Sequence, residues 1–261
     1  DLAEISFAEA LAHMPILNAQ TVSYAAWAEH AWDIDTDLLV QNFLRDARAN
    51  GAQIVPDAKV TTLRHTGAGW CATTGKGEFE GRILINAAGA WVGEVARLAG
   101  VTDPGFTPMR RSMARIPAPG GHDVSHWPMV FGAGEQWYSK PDAGALIVSP
   151  AEEHPMDPHD AWADDMVLAE GLARYEERVT EPVTRLLSSW AGLRTFSPDR
   201  SPVIGFAPGH ADFFWLAGQG GYGFQSAPAI SQFVADLIAG RTPDCAPATL
   251  AAVSPARFRD R

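Results

Sequence analysis

The segment Phe213–Pro228, FFWLAGQGGYGFQSAP, constrains the fold more than any other stretch of this chain. FFWLAG reads as a strand, a glycine-rich loop follows, and Ala227, Ile230, Val234, Leu237 and Ile238 then fall on one helical face that Gly240 closes. Gly218, Gly220 and Gly223 stand in G-x-G-x-x-G register, the spacing of a dinucleotide-binding turn. That turn works inside a strand–helix–strand unit of about 30 residues, with an acidic residue about 20 positions on for the ribose. Here prolines and alanines follow Gly240, and Asp244 lies among them. Two other readings use the same residues. The glycines can simply allow a tight strand-to-helix packing turn. They can also bring a helix N-terminus, with its unpaired N–H groups and partial positive charge, against an electron-rich group.

The rest of the chain alternates between helical and extended patterns. EISFAEALAHMPIL (4–17) reads as a helix and TVSYAAWAEHAWDI as a strand. In DIDTDLLVQNFLRDARANG, Asp35 is an N-cap, Leu38, Leu39, Phe43 and Ala47 share a face, and Gly51 is the stop. AQIVPDAKVTTLRHT looks extended, GWCATTGKGEFEG forms a hairpin, and RILINAAGA is a strand running into a glycine. From Thr102 to about Ser189 prolines and tryptophans become frequent. There PMRRSMARIPAP and GALIVSP read as strands and DAWADDMVLAEGLARYEERV as a helix ended by Pro182. WAGLRTFSPDRSPVIGF is turn-rich, and the tail after Gly240 reads as irregular. The pattern is mixed α/β.

Charge and motif content narrow the function classes. A formal net charge of -11 without a Lys/Arg run opposes nucleic-acid binding. No apolar stretch has the roughly 20 residues that span a bilayer, and the acidic opening DLAEISFAEA lacks the features of a signal peptide. Membrane association is therefore not expected from this chain, and a cytoplasmic location is. Cys71 and Cys245 form no C-x-x-C and read as packing residues. There is no G-x-S-x-G and no H-E-x-x-H. His122 and His126, like His154 and His159, sit in loop-like or proline-rich surroundings, so no metal site is expected. The chain opens at Asp1 and soon enters a helical pattern, which reads as part of a longer polypeptide.

Four segments, DIDTDLLVQNFLRDARANGAQI, RILINAAGAWVGEVARLAGV, SWAGLRTFSPDRSPVIG and FFWLAGQGGYGFQSAP, resemble the flavin-dependent D-amino acid oxidase and dehydrogenase family, which includes glycine oxidase and sarcosine oxidase. With PMRRS and KPDAGALIVSP they run in family order over nearly the whole chain. The resemblance implies FAD as cofactor and an amino acid as substrate. It also implies an incomplete FAD-binding Rossmann-like domain over 33–101 and 190–261. A discontinuous substrate domain with an antiparallel sheet and helices would take 1–32 and 102–189. The family's opening strand, true G-x-G-x-x-G and helix occupy roughly its first hundred residues and have no counterpart here. A missing N-terminal segment or a partner chain is the corresponding expectation.

Residue by residue, the resemblance implies that Arg194 of AGLR pairs with the substrate carboxylate, a bidentate geometry that guanidinium supplies and ammonium does not. It implies that the Tyr138 hydroxyl reaches that carboxylate, that Arg111 is a second carboxylate-contacting arginine, and that the Gly192 carbonyl accepts from the substrate amine. Arg110 is the rival of Arg111, because adjacent strand residues point to opposite faces. Gly220, Gly221, Tyr222, Gly223, Phe224 and Gln225 correspond to the flavin-facing loop, and Val60, Ala88 and Gly89 line the ADP half of FAD. The chemistry implied is oxidation of the Cα–N bond of a D-amino acid by hydride transfer to flavin N5. Oxidation of a secondary amine such as sarcosine is the enzymatic alternative. A flavin-free fragment or subunit that binds carboxylates or a partner chain is the alternative of another class.

Overall fold

The computed structural model describes residues 2–259. In chain order the strands are β1 (Ala3–Ile5), β2 (Ala25–Trp27), β3 (Val60–His65), β4 (Trp70–Thr74), β5 (Gly77–Gly81), β6 (Leu84–Asn86), β7 (Thr107–Pro117), β8 (Val130–Phe131), β9 (Tyr138–Asp142), β10 (Ala145–Ser149), β11 (His154–Pro155), β12 (Ser188–Phe196), β13 (Val203–Phe206) and β14 (Phe213–Ala217). The α-helices are α1 (Phe7–His13), α2 (Thr36–Ala49), α3 (Val92–Ala99), α4 (Asp165–Glu176), α5 (Gly223–Ile238) and α6 (Pro247–Val253). The chain divides into two compact units. The first runs through Trp32 and resumes over Met109–Leu193; the second takes Asp33–Pro108 and the chain from Arg194 on.

The first unit is built on a six-stranded sheet of order β11-β7-β10-β9-β8, with β12 also paired to β7. Its β7 alternates strictly: Arg110, Ser112, Ala114 and Ile116 are buried, while the odd-numbered residues are half-buried. Period-2 alternation of this kind places a packed core on one face. Ile116, Leu146 and Val148 meet Met14, Ile16, Trp137, Tyr175 and Val179 there. The packing of α4 onto the sheet is tight enough that a Cβ on Gly171 would lie 2.3 Å from the Pro150 Cβ.

The second unit centres on β14, which pairs antiparallel with β13 and parallel with β6. Its residues are buried alternately on both faces. Phe213, Trp215 and Ala217 pack with Trp70, Val92, Ala96 and Val203, whereas Phe214 joins Ile204 and Val234 of α5. A strand covered on both faces explains the unbroken apolar run FFWLA. The β3–β4–β5 meander is a separate sheet.

Several sequence expectations need correction. Glu4 and Ile5 belong to β1, not to a helix over 4–17; a capping box between Ser6 and Glu9 starts α1 at Phe7 instead. Only Ala25–Trp27 of the expected 21–34 strand is extended in a ladder, paired with β1. Asp35 caps α2 by accepting from Leu38 N at 2.9 Å, but no α2 residue is buried, and Leu38 and Phe43 are exposed. The turn-rich reading of 190–206 misses most of β12 and all of β13. The tail contains α6 and a 3-10 turn over Pro255–Phe258, anchored by Arg257, whose guanidinium donates to both carboxylate oxygens of Asp199 at 2.7 and 3.0 Å.

Candidate active site

The second unit places the glycine loop between the end of β14 and the start of α5. Gly218 and Gly220 have φ of 74° and 52°, the left-handed region that favours glycine. At Gly220 a side chain is excluded twice over, because a Cβ would also lie 2.4 Å from the Phe196 ring. Its N–H is held by the Thr195 carbonyl at 2.9 Å, which ties the loop to β12. Tyr222 is the N-cap of α5 and makes no side-chain capping bond. The first turn of a long helix therefore presents backbone donors and the positive end of its dipole without a side-chain acceptor of its own. Tyr222 and Phe224 flank this end as exposed aromatic rings, and Gln225 is exposed in the first turn.

Arg194 lies over this loop. A Cβ on Gly221 would stand 2.9 Å from its Nη1 and 3.5 Å from its Cζ. The absence of a side chain at 221 thus gives the guanidinium room directly above the loop backbone. Two residues before it on the same strand, Gly192 is exposed, with open space where a Cβ would go.

The residues assigned to an ADP half also lie in this unit. Val60 opens β3, opposite Thr74. Ala88 and Gly89 follow the end of β6 and lead through a 3-10 turn into α3. Asn86 braces that turn by donating to the Val92 carbonyl at 2.8 Å. Gly89 has a φ of 56° and open space at its Cβ position.

In the first unit the alternation of β7 separates the two adjacent arginines. Arg110 points to the packed face, where Glu152 accepts from Ser112 N at 2.7 Å and lies 3.8 Å from Arg110 Nε. Asp164 is 3.7 Å from Arg110 Nη2. Its carboxyl is held below the usual carboxylate range, first by the Val167 N–H and then by the Met166 N–H and the Arg110 charge. Arg111 points the other way. Its Cζ is 5.9 Å from the centroid of the Tyr138 ring, and its Nη2 donates to Glu153 Oε1 at 3.2 Å. The Tyr138 hydroxyl donates to Met113 Sδ at 3.3 Å, two residues along the same face of β7. Arg111 and Tyr138 thus come together, whereas Arg110 is engaged elsewhere.

Comparison with known proteins shows the family. The family described as FAD dependent oxidoreductase matches residues 3–237. The chain belongs to this family.

N-methyl-L-tryptophan oxidase from Salmonella arizonae is 28% identical over 223 residues, covering 80% of this chain and 57% of that protein. FAD-dependent oxidoreductase domain-containing protein 1 from Bos taurus is 30% identical over 172 residues, covering 60% of this chain and 35% of that protein. The fold is that of glycine oxidase from Geobacillus kaustophilus, with TM-score 0.82 and 22% identity over 98% of this chain and 67% of that one. L-proline dehydrogenase from P. horikoshii gives TM-score 0.82 and 24% identity over 99% and 69%. The chain spans little more than half the length of the curated relatives it matches first.

FAD is the cofactor of the family, and the second unit fits part of it. The uncapped N-terminus of α5, the glycines at 220 and 221 and the exposed rings at 222 and 224 suit a flat, electron-accepting ring system better than a packed interior. Among the described residues no group of His, Cys, Asp or Glu could hold a metal, and no helix is long and apolar enough to cross a membrane.

The sequence reading missed Glu152, Glu153 and Met113. The signal for the two glutamates was present: Arg110-Arg111 and Glu152-Glu153 are adjacent like-charged pairs. Pairing His154 with Arg110 across the sheet edge sets one glutamate on each face.

Proposed function

We propose that the chain carries the flavin-facing loop and the substrate-carboxylate side chains of an FAD-dependent enzyme that oxidises the Cα–N bond of an amino acid. One observation carries this reading: the Arg194 guanidinium lies directly over the Gly221 backbone, in the loop that leads into the uncapped α5. A substrate carboxylate held by Arg194 would place the attached Cα close to whatever that loop supports. FAD, when bound, supplies the acceptor for the hydride that leaves Cα.

The protein's own contribution is binding and orientation. Arg194 offers a planar pair of donors to a carboxylate, a charge-assisted contact that also fixes its rotation. Arg111 and Tyr138 offer a second guanidinium and a phenol on one sheet face. The exposed Gly192 leaves its strand backbone accessible to a substrate amine. Holding Cα–H in one direction accounts for a large part of the rate in this scheme, through proximity and orientation. Val60, Ala88 and Gly89 would line part of the ADP half.

A D-amino acid is the substrate we favour from the resemblance of the glycine loop, the AGLR strand and the KPDAGALIVSP segment to the D-amino acid dehydrogenases. Relatives named for N-methyl-L-tryptophan, L-proline and iminodiacetate favour a second reading, oxidation of a secondary amine. Turnover of D-arginine, D-proline and sarcosine by the FAD-loaded protein separates them. Fastest turnover of D-arginine supports the first, and fastest turnover of sarcosine the second. A protein that acquires no flavin absorption on addition of FAD instead behaves as a carboxylate- or partner-binding module.

A further inference from the structure

We propose that Glu153 is an internal competitor for Arg111: its carboxylate occupies the edge of the guanidinium that a substrate carboxylate would use, and it must give way when one binds. The inference rests on the proposed role of Arg111 in carboxylate binding, and it adds a residue that sets how tightly that binding occurs.

Nε and Nη2 of an arginine form one edge, the edge that takes a carboxylate with two parallel hydrogen bonds. At Arg111 that edge is half used. Nη2 donates to Glu153 Oε1 at 3.2 Å, a long contact for a charge-assisted bond. Nε is buried and makes no hydrogen bond. A buried donor without an acceptor is costly; Arg110 Nε is left in the same state, but beside a glutamate side chain that is 4% exposed, whereas the one beside Arg111 is 33% exposed. A carboxylate seated on both nitrogens relieves this deficit.

The two arginine–glutamate pairs at this sheet edge contrast in the way this role requires. Glu152, on the packed face, is almost fully buried and locked by the Ser112 N–H at 2.7 Å. The Glu153 side chain is one-third exposed. It stands next to β11, an edge strand of two residues. Glu153 is therefore the more solvated member of the pair, while Arg111 lies on an eleven-residue strand with its side chain 10% exposed. A carboxylate arriving from solvent finds a guanidinium already aligned, at the expense of displacing a partly solvated partner.

The test titrates benzoate into the full chain, isotope-labelled at arginine, and follows the Arg111 Nε–H resonance. We expect Glu153→Gln to lower the benzoate dissociation constant by roughly two- to fivefold, the range of a partly exposed ion pair. Glu153→Asp, shorter but still charged, is expected to fall between Gln and the wild type. Glu177→Gln, an exposed charge elsewhere in the same unit, is expected to leave the constant unchanged. Should the Arg111 resonance respond to benzoate while Glu153→Gln binds no tighter than the wild type, the competitor role is overturned and the clamp reading stands. An equal gain in Glu177→Gln, which would reflect net charge alone, also overturns it. Absence of any Arg111 response in both the wild type and Glu153→Gln overturns the clamp reading of Arg111 and this proposal with it.

Discussion

The Arg194 guanidinium and the Gly221 backbone are stacked so closely that a single added methyl group would touch the charge: the Cβ of an alanine at 221 would lie 2.9 Å from Nη1. Gly221 has no left-handed backbone angle that demands glycine; its missing side chain leaves room for a neighbouring cation. That distinguishes it from Gly220, which is required both by its φ of 52° and by the Phe196 ring.

Gly221→Ala should leave the fold intact, because the atom in the way is the end of a flexible side chain. Arg194 would be pushed aside. The expected result is a thermal midpoint close to wild type with a KM for the amino acid raised about tenfold, the scale of one hydrogen bond to a charged group. Thermal unfolding and steady-state kinetics on the FAD-loaded protein check both parts.

Gly220→Ala should behave oppositely. Overpacking against the buried Phe196 and a left-handed φ together predict a loss of about 1–3 kcal/mol of stability. Denaturant unfolding of this variant beside Gly221→Ala reads the contrast directly.

Gly171 tests the first unit. Glycine inside a helix ordinarily gains about 1 kcal/mol on replacement by alanine. Here the Cβ would collide with Pro150 at 2.3 Å, so Gly171→Ala should destabilise by about 1–3 kcal/mol. A rise in the denaturation midpoint would show that α4 does not pack on the sheet as described.

The Asp199–Arg257 pair makes stability depend on acid. Hydrogen bonding to Arg257 comes first, followed by the Ser201 N–H, the Ser197 hydroxyl and the Arg257 charge. Against the opposing effect of burial, they hold the Asp199 carboxyl well below the usual carboxylate range. A group depressed in the folded state stabilises fully above its ordinary value of about 4 and loses that contribution progressively as pH falls below it. Asp199→Asn should lower the thermal midpoint at neutral pH and flatten its decline between about pH 4 and pH 2. An unchanged slope in that window would contradict the assignment.

The sequence made local features legible where one residue decides the geometry. Asp35 starts a helix, Gly51 with a φ of 87° closes the same segment, and FFWLA is a strand because both its faces are covered. Features decided by a distant partner were not readable. Ile5 is extended because Ala25 pairs with it, and Leu38 and Phe43 stay exposed although their spacing describes a core face. The proline-punctuated 190–206 segment forms strands because β7 and β14 offer ladders to it. At the site, strand alternation showed that Arg110 and Arg111 face apart, but only the positions of Glu152 and Tyr138 determine which faces which.

Arg194 is the residue on which the proposed carboxylate binding depends most. The decisive measurement is steady-state kinetics of Arg194→Ala against the wild type, both loaded with FAD and assayed with whichever of D-arginine, D-proline and sarcosine the wild type oxidises fastest. Loss of a bidentate charge-assisted pair predicts a KM raised roughly a hundredfold, with kcat changed much less. A variant that binds FAD and retains near-normal kcat/KM would contradict the central claim.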